Sequence, residues 1–191
     1  MDEIFEDSVA AQHWEQAKRE YEERMFFMER RLGAEVHWFF IQGLEALKRG
    51  LFLPACSSFI IGVEASLRVT MAQIEKPTRV EELDPVKTLS NRLLMDAKRK
   101  GVPIELLAFP DEDDFEGKLA SVKPNIRHVE IVRVRHNLCH GNILEFVNTE
   151  LGEDNAFFTP ECCSTLAVEL LDVSMKWVRG LGAYRRDVLG A

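Results

Sequence analysis

The sequence predicts an all-α protein, an up-and-down helical bundle with a long N-terminal helical arm. Two features support this class: apolar residues recur at spacings of three and four along most of the chain, and no segment shows the alternation of a convincing strand. A length of 191 residues is typical of one domain. We therefore expect a single helical domain over residues 1–191.

The first fifty residues predict the arm. From Trp14 to Leu32 the apolar residues are spaced by 7, 4, 3 and 4 with charged residues between them, which is typical of an amphipathic helix with a coiled-coil seam. Gly33 can interrupt this helix before a second apolar stripe that ends at Gly50. Residues 1–50 therefore form one long helix or a hairpin of two, and residues 51–191 form the core of the bundle.

The core begins with a helix that Pro54 opens, since proline favours a first helical turn, and that ends before Pro77. Small residues recur along this helix at a spacing of four, namely Ser58, Gly62 and Ser66. Side chains this small let another helix approach closely. We therefore expect this helix to be central.

The next two segments predict a helix and a loop. Asp84 and Pro85 are typical of a helix start and Gly101 of a helix end, which predicts a fourth helix. Residues 102–124 contain further prolines and the acidic run 111–114, which indicate an irregular loop with its carboxylates in solvent.

Two more helices flank a polar connection over residues 148–155. Apolar residues after Pro124 are spread around much of a helical wheel as far as Gly141, which predicts a helix over 125–141 that is buried on more than one side. Thr159 and Pro160 open a last helix with a regular apolar stripe. Basic residues near its end are expected to complement the helix dipole: Arg179, Arg185 and Arg186.

Charge and missing motifs exclude several classes of function. The chain has 24 basic and 32 acidic residues and a net charge of −8, so any phosphate site must be local. The sequence lacks the motifs of nucleotide hydrolysis, dinucleotide redox chemistry, serine hydrolysis and zinc proteolysis. We therefore expect no cofactor.

Cysteine spacing and hydropathy predict the compartment. The four cysteines have neither the spacing of zinc ligands nor that of a disulfide framework, which indicates reduced thiols and no metal site. The most apolar stretch, residues 51–67, contains Glu64 and is expected to be too short to span a bilayer as a helix. These features predict a cytoplasmic protein without membrane contact.

One part of the 125–141 helix is unlike the rest, because residues 133–142 combine two guanidiniums, two imidazoles and amides. Such groups lose hydration when buried, so they form either a polar network or a functional site. His136 and His140 share a helix face, whereas Arg135 and His140 lie about 140° apart around an ideal helix. Convergence of Arg135 and His140 needs a helix that ends near His140 or a symmetric partner chain. His128 is expected to be exposed.

The segment 135–140 resembles the R-x4-H signature of the HEPN superfamily, in which a polar residue follows the arginine. Arg133 would give a longer R-x6-H form, but Arg135 fits better because His136 follows it. The segment 53–67 is similar to the small-residue-rich helix of this family, which carries a buried acidic residue, here Glu64.

The resemblance implies a homodimeric helical bundle that, in many members, is a metal-independent ribonuclease. It implies that Arg135 and His140 are catalytic and that His136, Asn137 and Glu64 support them. Cleavage of RNA by its own 2′-OH needs a base, an acid and a cation, which imidazole and guanidinium provide. A dimer supplies one histidine for each proton transfer.

Two points stay open at this stage. Glu64 can orient Arg135, or it can pair with Arg68 four residues along its own helix. Some family members carry a tyrosine two residues after the histidine, which a partner antitoxin modifies with nucleotide; Asn142 stands here, so we do not expect that regulation.

The sequence therefore predicts an endoribonuclease of a toxin or phage-defence system that cuts RNA to 2′,3′-cyclic phosphate ends. Its partners are expected to be RNA, a second copy of the chain, and an antitoxin or other defence protein. The alternative is a non-catalytic helical module that binds RNA or protein, using the seam from Trp14 to Leu32.

Overall fold

The computed structural model describes residues 2–142, 144–149, 152 and 156–190, with residues 2–10 described by their backbone. This part of the chain is an all-α helical bundle of seven α-helices without a strand, which confirms the predicted fold class. One isolated antiparallel bridge joins Asn148 and Phe157. The helices are α1 (Asp2–Met28), α2 (His37–Lys48), α3 (Phe52–Glu75), α4 (Asn91–Arg99), α5 (Phe115–Leu119), α6 (Glu130–His140) and α7 (Ser164–Leu189).

Helix α3 is central, since it contacts α2, α6 and α7. A Cβ on Gly62 would lie 2.9 Å from the Phe40 ring, and one on Gly43 would lie 2.8 Å from the Phe59 ring, so α2 and α3 approach closely only because these positions are glycine. The buried Trp177 of α7 donates its indole N–H to Ser66 at 2.9 Å. The small residues of α3 thus accommodate close neighbours from two helices.

The N-terminal arm is a hairpin of two helices. Among the side chains of α1 that the structure describes, 11–28, Phe27 is the buried one, while Trp14 is 72% and Tyr21 is 63% exposed. The predicted seam therefore does not pack along its length against the rest of the chain. Ion pairs join α1 to α2: Arg24 with Glu45 at 3.0 Å, and Lys48 with Glu23.

Arg185 corrects the prediction for the basic end of α7. It is 2% exposed and donates from Nε to the carbonyl oxygen of Arg31 at 2.9 Å. Its Nη1 and Nη2 donate to Thr70 Oγ1 and Gln73 Oε1, at 2.9 and 2.7 Å. Burial lowers the pKa of Arg185 below its usual value. This guanidinium holds the turn between α1 and α2 instead of complementing the helix dipole.

The predicted start of the fourth helix at Asp84 is wrong. The Asp84 carboxylate accepts the N–H of Val86 at 2.9 Å, a local turn that competes with helix formation. Helix α4 begins at Asn91, and Ser90 caps it by accepting the N–H of Leu93 at 3.3 Å.

The acidic run is only partly solvated as predicted. Asp114 accepts the N–H of Gly117 at 3.1 Å and caps the short α5 within the predicted loop. The Glu112 side chain is fully buried, and its carboxylate accepts the N–H of Glu130 at 2.7 Å. Glu112 therefore places a negative charge at the N-terminus of α6, where the helix dipole favours it.

Helix α6 is shorter than the predicted 125–141 helix. It starts after Val129, whose backbone is extended. Gly141 has φ +67°, and the N–H groups of Gly141 and Asn142 donate to the carbonyls of Leu138 and Asn137 at 3.4 and 2.9 Å. This C-terminal motif makes His140 the last residue of the helix.

The predicted last helix begins as a 3-10 turn, Pro160–Cys163, that continues into α7. Thr159 caps this turn. The polar connection predicted over 148–155 lies in part outside the described residues.

Helix α3 also corrects the expectation about membrane length. Within the described residues it is one helix that is long and apolar enough, by length and composition alone, to cross a membrane. Half of its most apolar window is buried among the other helices. The apolar stretch therefore extends beyond residue 67, and its length does not exclude a membrane span.

Candidate functional site

Helices α3 and α6 are joined by an ion pair between the two residues that the family resemblance connects. Arg135 donates from Nε to Glu64 Oε2 at 3.0 Å, and the two side chains are 19% and 14% exposed. The two terminal nitrogens of Arg135 make no hydrogen bond with any described residue. The terminal nitrogens are therefore the part of the guanidinium that a ligand could contact.

Glu64 makes both of the pairings that the sequence left open. Its second oxygen lies 3.6 Å from Nη1 of Arg68, four residues along α3. Arg68 in turn donates from Nη2 to the carbonyl oxygen of Asp84 at 2.6 Å. The carboxylate is thus held from two sides, which fixes the position from which it orients Arg135.

Three exposed imidazoles lie in a row along α6, from His128 just before the helix, past His136, to His140 at its last residue. The ring centroids of His136 and His140 are 4.4 Å apart, and those of His128 and His136 are 6.5 Å apart. Sequence reasoning assigned no role to His128. The predicted 125–141 helix included His128, but in the structure this residue precedes α6 in a non-helical segment that brings its ring near that of His136.

The guanidinium of Arg133 is fully hydrogen-bonded to carboxylates of the same chain. It donates to Glu130 from Nε at 2.8 Å and from Nη2, and to Glu145 from Nη1. Hydrogen bonds to these two carboxylates raise the pKa of Arg133 above its ordinary value. The longer R-x6-H alternative would therefore use an arginine whose nitrogens are all engaged.

Asn137 belongs to the same network. Its amide donates to Glu145 and accepts from Asn142 Nδ2 at 3.3 Å, which ties the end of α6 to the 3-10 turn Leu144–Phe146. Its predicted supporting role does not include a contact with Arg135 among the described hydrogen bonds. The polar cluster thus contains a structural network, Arg133 with Asn137, beside groups that the network does not engage.

Arg135 and His140 are not brought into contact within one chain, as far as the described contacts show. They stand five residues apart on α6, a separation of about 140° around the axis. The described residues contain no group of three or more His, Cys, Asp or Glu side chains that could hold a metal ion.

Comparisons of the chain with protein-family models, curated proteins and solved structures found no match. Its function is therefore inferred from the arrangement of its own residues.

Proposed function

We propose that this protein is a metal-independent endoribonuclease of HEPN type, of a toxin or phage-defence system, whose active site forms between two copies of the chain. One observation carries the proposal. Glu64 holds Arg135 by a single nitrogen, so that the two terminal nitrogens stay available on a helix that ends in exposed imidazoles. A planar guanidinium in this state binds two phosphate oxygens.

The reaction uses groups of these types. One imidazole accepts the proton of the RNA 2′-OH as its oxygen attacks the adjacent phosphorus. The bond from phosphorus to the 5′-oxygen breaks, and an imidazolium donates a proton to that oxygen. The products are a 2′,3′-cyclic phosphate and a 5′-hydroxyl end. Arg135 stabilises the negative charge that the phosphate oxygens gain in the transition state.

A dimer accounts for the separation of Arg135 and His140 around α6. A two-fold partner that packs near α6 would place its own arginine and histidine opposite those of the first chain. His136 and His140 are exposed and lie on one side of α6, which leaves them accessible to such a partner and to RNA.

Substitution of the two central residues tests the proposal. We expect Arg135→Ala to slow cleavage of a labelled RNA by about 100- to 1000-fold, the loss typical of a donor that stabilises the transition state. His140→Ala should slow it by about 100- to 10,000-fold through loss of proton transfer. Both variants should keep the circular dichroism spectrum of the wild type. Cleavage is measured with EDTA present, and mass spectrometry identifies the product ends.

Arg133→Ala and His13→Ala are the matched controls. Arg133 lies two residues before Arg135 but is engaged by carboxylates, so its loss should lower the melting temperature and leave the cleavage rate within about threefold. His13 lies on the exposed arm. Folded Arg135 and His140 variants that still cut would refute the site, and activity lost in EDTA and restored by a divalent ion would refute the mechanism. Cleavage by a strictly monomeric species would refute the shared active site.

A non-catalytic module that binds RNA or protein is the second candidate. The exposed Trp14 and Tyr21 on the arm favour it, because aromatic side chains in solvent are typical of binding surfaces. This candidate predicts binding without products. It would replace the nuclease if the wild type cut nothing across a broad RNA panel.

A further inference from the structure

A cleft of about 560 Å³ lies between the end of α3, the segment that precedes α4, and α4 itself. This volume is within the range of small-molecule sites. Met71 and Leu93 contribute apolar surface and are 7% and 8% exposed, while Val86, also in the lining, is 84% exposed. A ligand in this cleft would cover the apolar surface of Val86, which the protein leaves in water.

The charges around the cleft favour an anion. Four cationic side chains line it, against the two carboxylates of Glu75 and Asp96. Both lysines of the lining pair with Glu75, at 3.9 and 3.3 Å, and one arginine pairs with Asp96. Arg92 is exposed and has no ion pair or hydrogen bond with any described side chain. The cleft is thus locally positive on a chain with a net charge of −8.

The start of α4 adds to this positive potential. Ser90 caps the helix, Arg92 belongs to its first turn, and both line the cleft. The N-terminus of a helix carries partial positive charge and unpaired N–H groups, which favour an anion.

A smaller cavity of about 200 Å³ adjoins the cleft and shares Met71, Glu75, Lys87 and Leu93 with it. Arg68 lines this cavity, and its Nε is a buried donor without a partner among the described residues. A buried donor of this kind gains a hydrogen bond when a ligand supplies an acceptor.

We propose that the cleft binds a small amphipathic anion. The apolar body of the ligand lies against Val86 and the exposed edges of Met71 and Leu93, and its anionic group contacts Arg92 at the start of α4. Arg135, His136 and His140 do not line the cleft, so this site is independent of the proposed nuclease function.

Two fluorescent probes of the same shape test the charge requirement. The anion 8-anilinonaphthalene-1-sulfonate carries a sulfonate on an apolar body, and N-phenyl-1-naphthylamine is its neutral counterpart. We expect the full-length protein to bind one molecule of the anionic probe per chain, at least about tenfold more tightly than the neutral probe. Arg92→Glu should weaken the anionic probe by about tenfold or more and leave the neutral probe unchanged.

Arg19→Glu is the matched control, because Arg19 is an exposed arginine on α1 that makes no described ion pair and does not line the cleft. It changes the net charge equally and should leave binding of both probes unchanged. Equal affinity of wild type and Arg92→Glu for the anionic probe would refute the proposal. Equal weakening by the two substitutions would also refute it, since the effect would then come from net charge and not from this cleft. Thermal melts confirm that both variants are folded.

Discussion

Helix α3 binds two arginines from other helices in different ways. Its middle binds Arg135 through Glu64, and its C-terminal part binds Arg185 through Thr70 and Gln73. Arg185 is 2% exposed, and all three of its nitrogens donate to neutral acceptors, two of them on α3. Arg135 is partly exposed and donates once, to Glu64 of the same helix. All the nitrogens of Arg185 are engaged within the fold, whereas Arg135 is held by one bond and keeps two nitrogens without a partner among the described residues.

This difference separates a structural arginine from a candidate functional one. A buried cation without a carboxylate is tolerated only when hydrogen bonds replace its hydration, as they do around Arg185. An arginine that is oriented by one carboxylate keeps its charge and its planar fork for a ligand. The comparison therefore predicts that Arg185 controls stability and that Arg135 controls activity.

The largest expected effect is the loss of stability in Arg185→Ala. This substitution leaves three acceptors without a donor and opens a cavity between α3, α7 and residues 29–36. We expect a loss of about 3–5 kcal/mol in the free energy of unfolding. Arg135→Ala removes one partly exposed ion pair and should cost about 1 kcal/mol or less. Urea unfolding of the two variants measures both values.

Arg185→Met sharpens this test, because methionine fills part of the volume without donating. If Arg185→Met loses less free energy of unfolding than Arg185→Ala, the difference between the two variants measures packing. The loss that remains in Arg185→Met measures the missing hydrogen bonds. The comparison fails if the Arg135 and Arg185 variants lose equal stability.

The fold class could be predicted from the sequence because helical spacing of apolar residues directly reflects which faces are buried. Helix starts were less predictable. At Asp84 a side chain closes a local turn, and at Glu130 the cap comes from Glu112, a residue 18 positions earlier. Such contacts depend on tertiary structure, so spacing alone misplaced both starts.

Parts of the candidate site could be named from the sequence, but their contacts could not. Arg185 lies near the end of α7 and Arg135 in the middle of α6, and only the packing around each shows which one has all its donors engaged. Arg133 donates to Glu145, which lies in the 3-10 turn after α6, so this contact depends on how the chain folds back beyond the helix. The family resemblance singled out Arg135, His140 and Glu64, and their proposed roles remain a prediction.

A smaller effect is expected from Glu64→Gln. The amide oxygen still accepts a hydrogen bond, but the charge that orients Arg135 and pairs with Arg68 is lost. If Arg135 acts on the phosphate, a small displacement of its guanidinium should slow cleavage by about 10- to 100-fold. The loss of stability should stay well below that of Arg185→Ala.

Cleavage rates and urea unfolding are compared for Glu64→Gln and for Arg68→Gln as the control. Arg68→Gln removes the other pairing of Glu64 and keeps its contact with Arg135. A folded Glu64→Gln protein with the cleavage rate of the wild type would show that Glu64 does not position Arg135.

The smallest expected effect is a difference in stability between two glycine substitutions. Gly33 lies beside Arg185, and Gly141 follows α6, the helix that carries Arg135. Gly33 and Gly141 both have positive φ, +80° and +67°, so alanine is strained at either position by about 1 kcal/mol. A Cβ at Gly33 would also lie 2.9 Å from Nη2 of Arg185 and 3.0 Å from Val69, whereas no described atom lies within 4 Å of one at Gly141. Since Gln73 fixes Nη2 of Arg185, that nitrogen cannot move aside without losing a hydrogen bond. We therefore expect Gly33→Ala to lose about 1 kcal/mol more stability than Gly141→Ala in urea unfolding. Equal losses would show that the surroundings of Arg185 yield as readily as the open end of α6, and would contradict the rigid role given to that arginine.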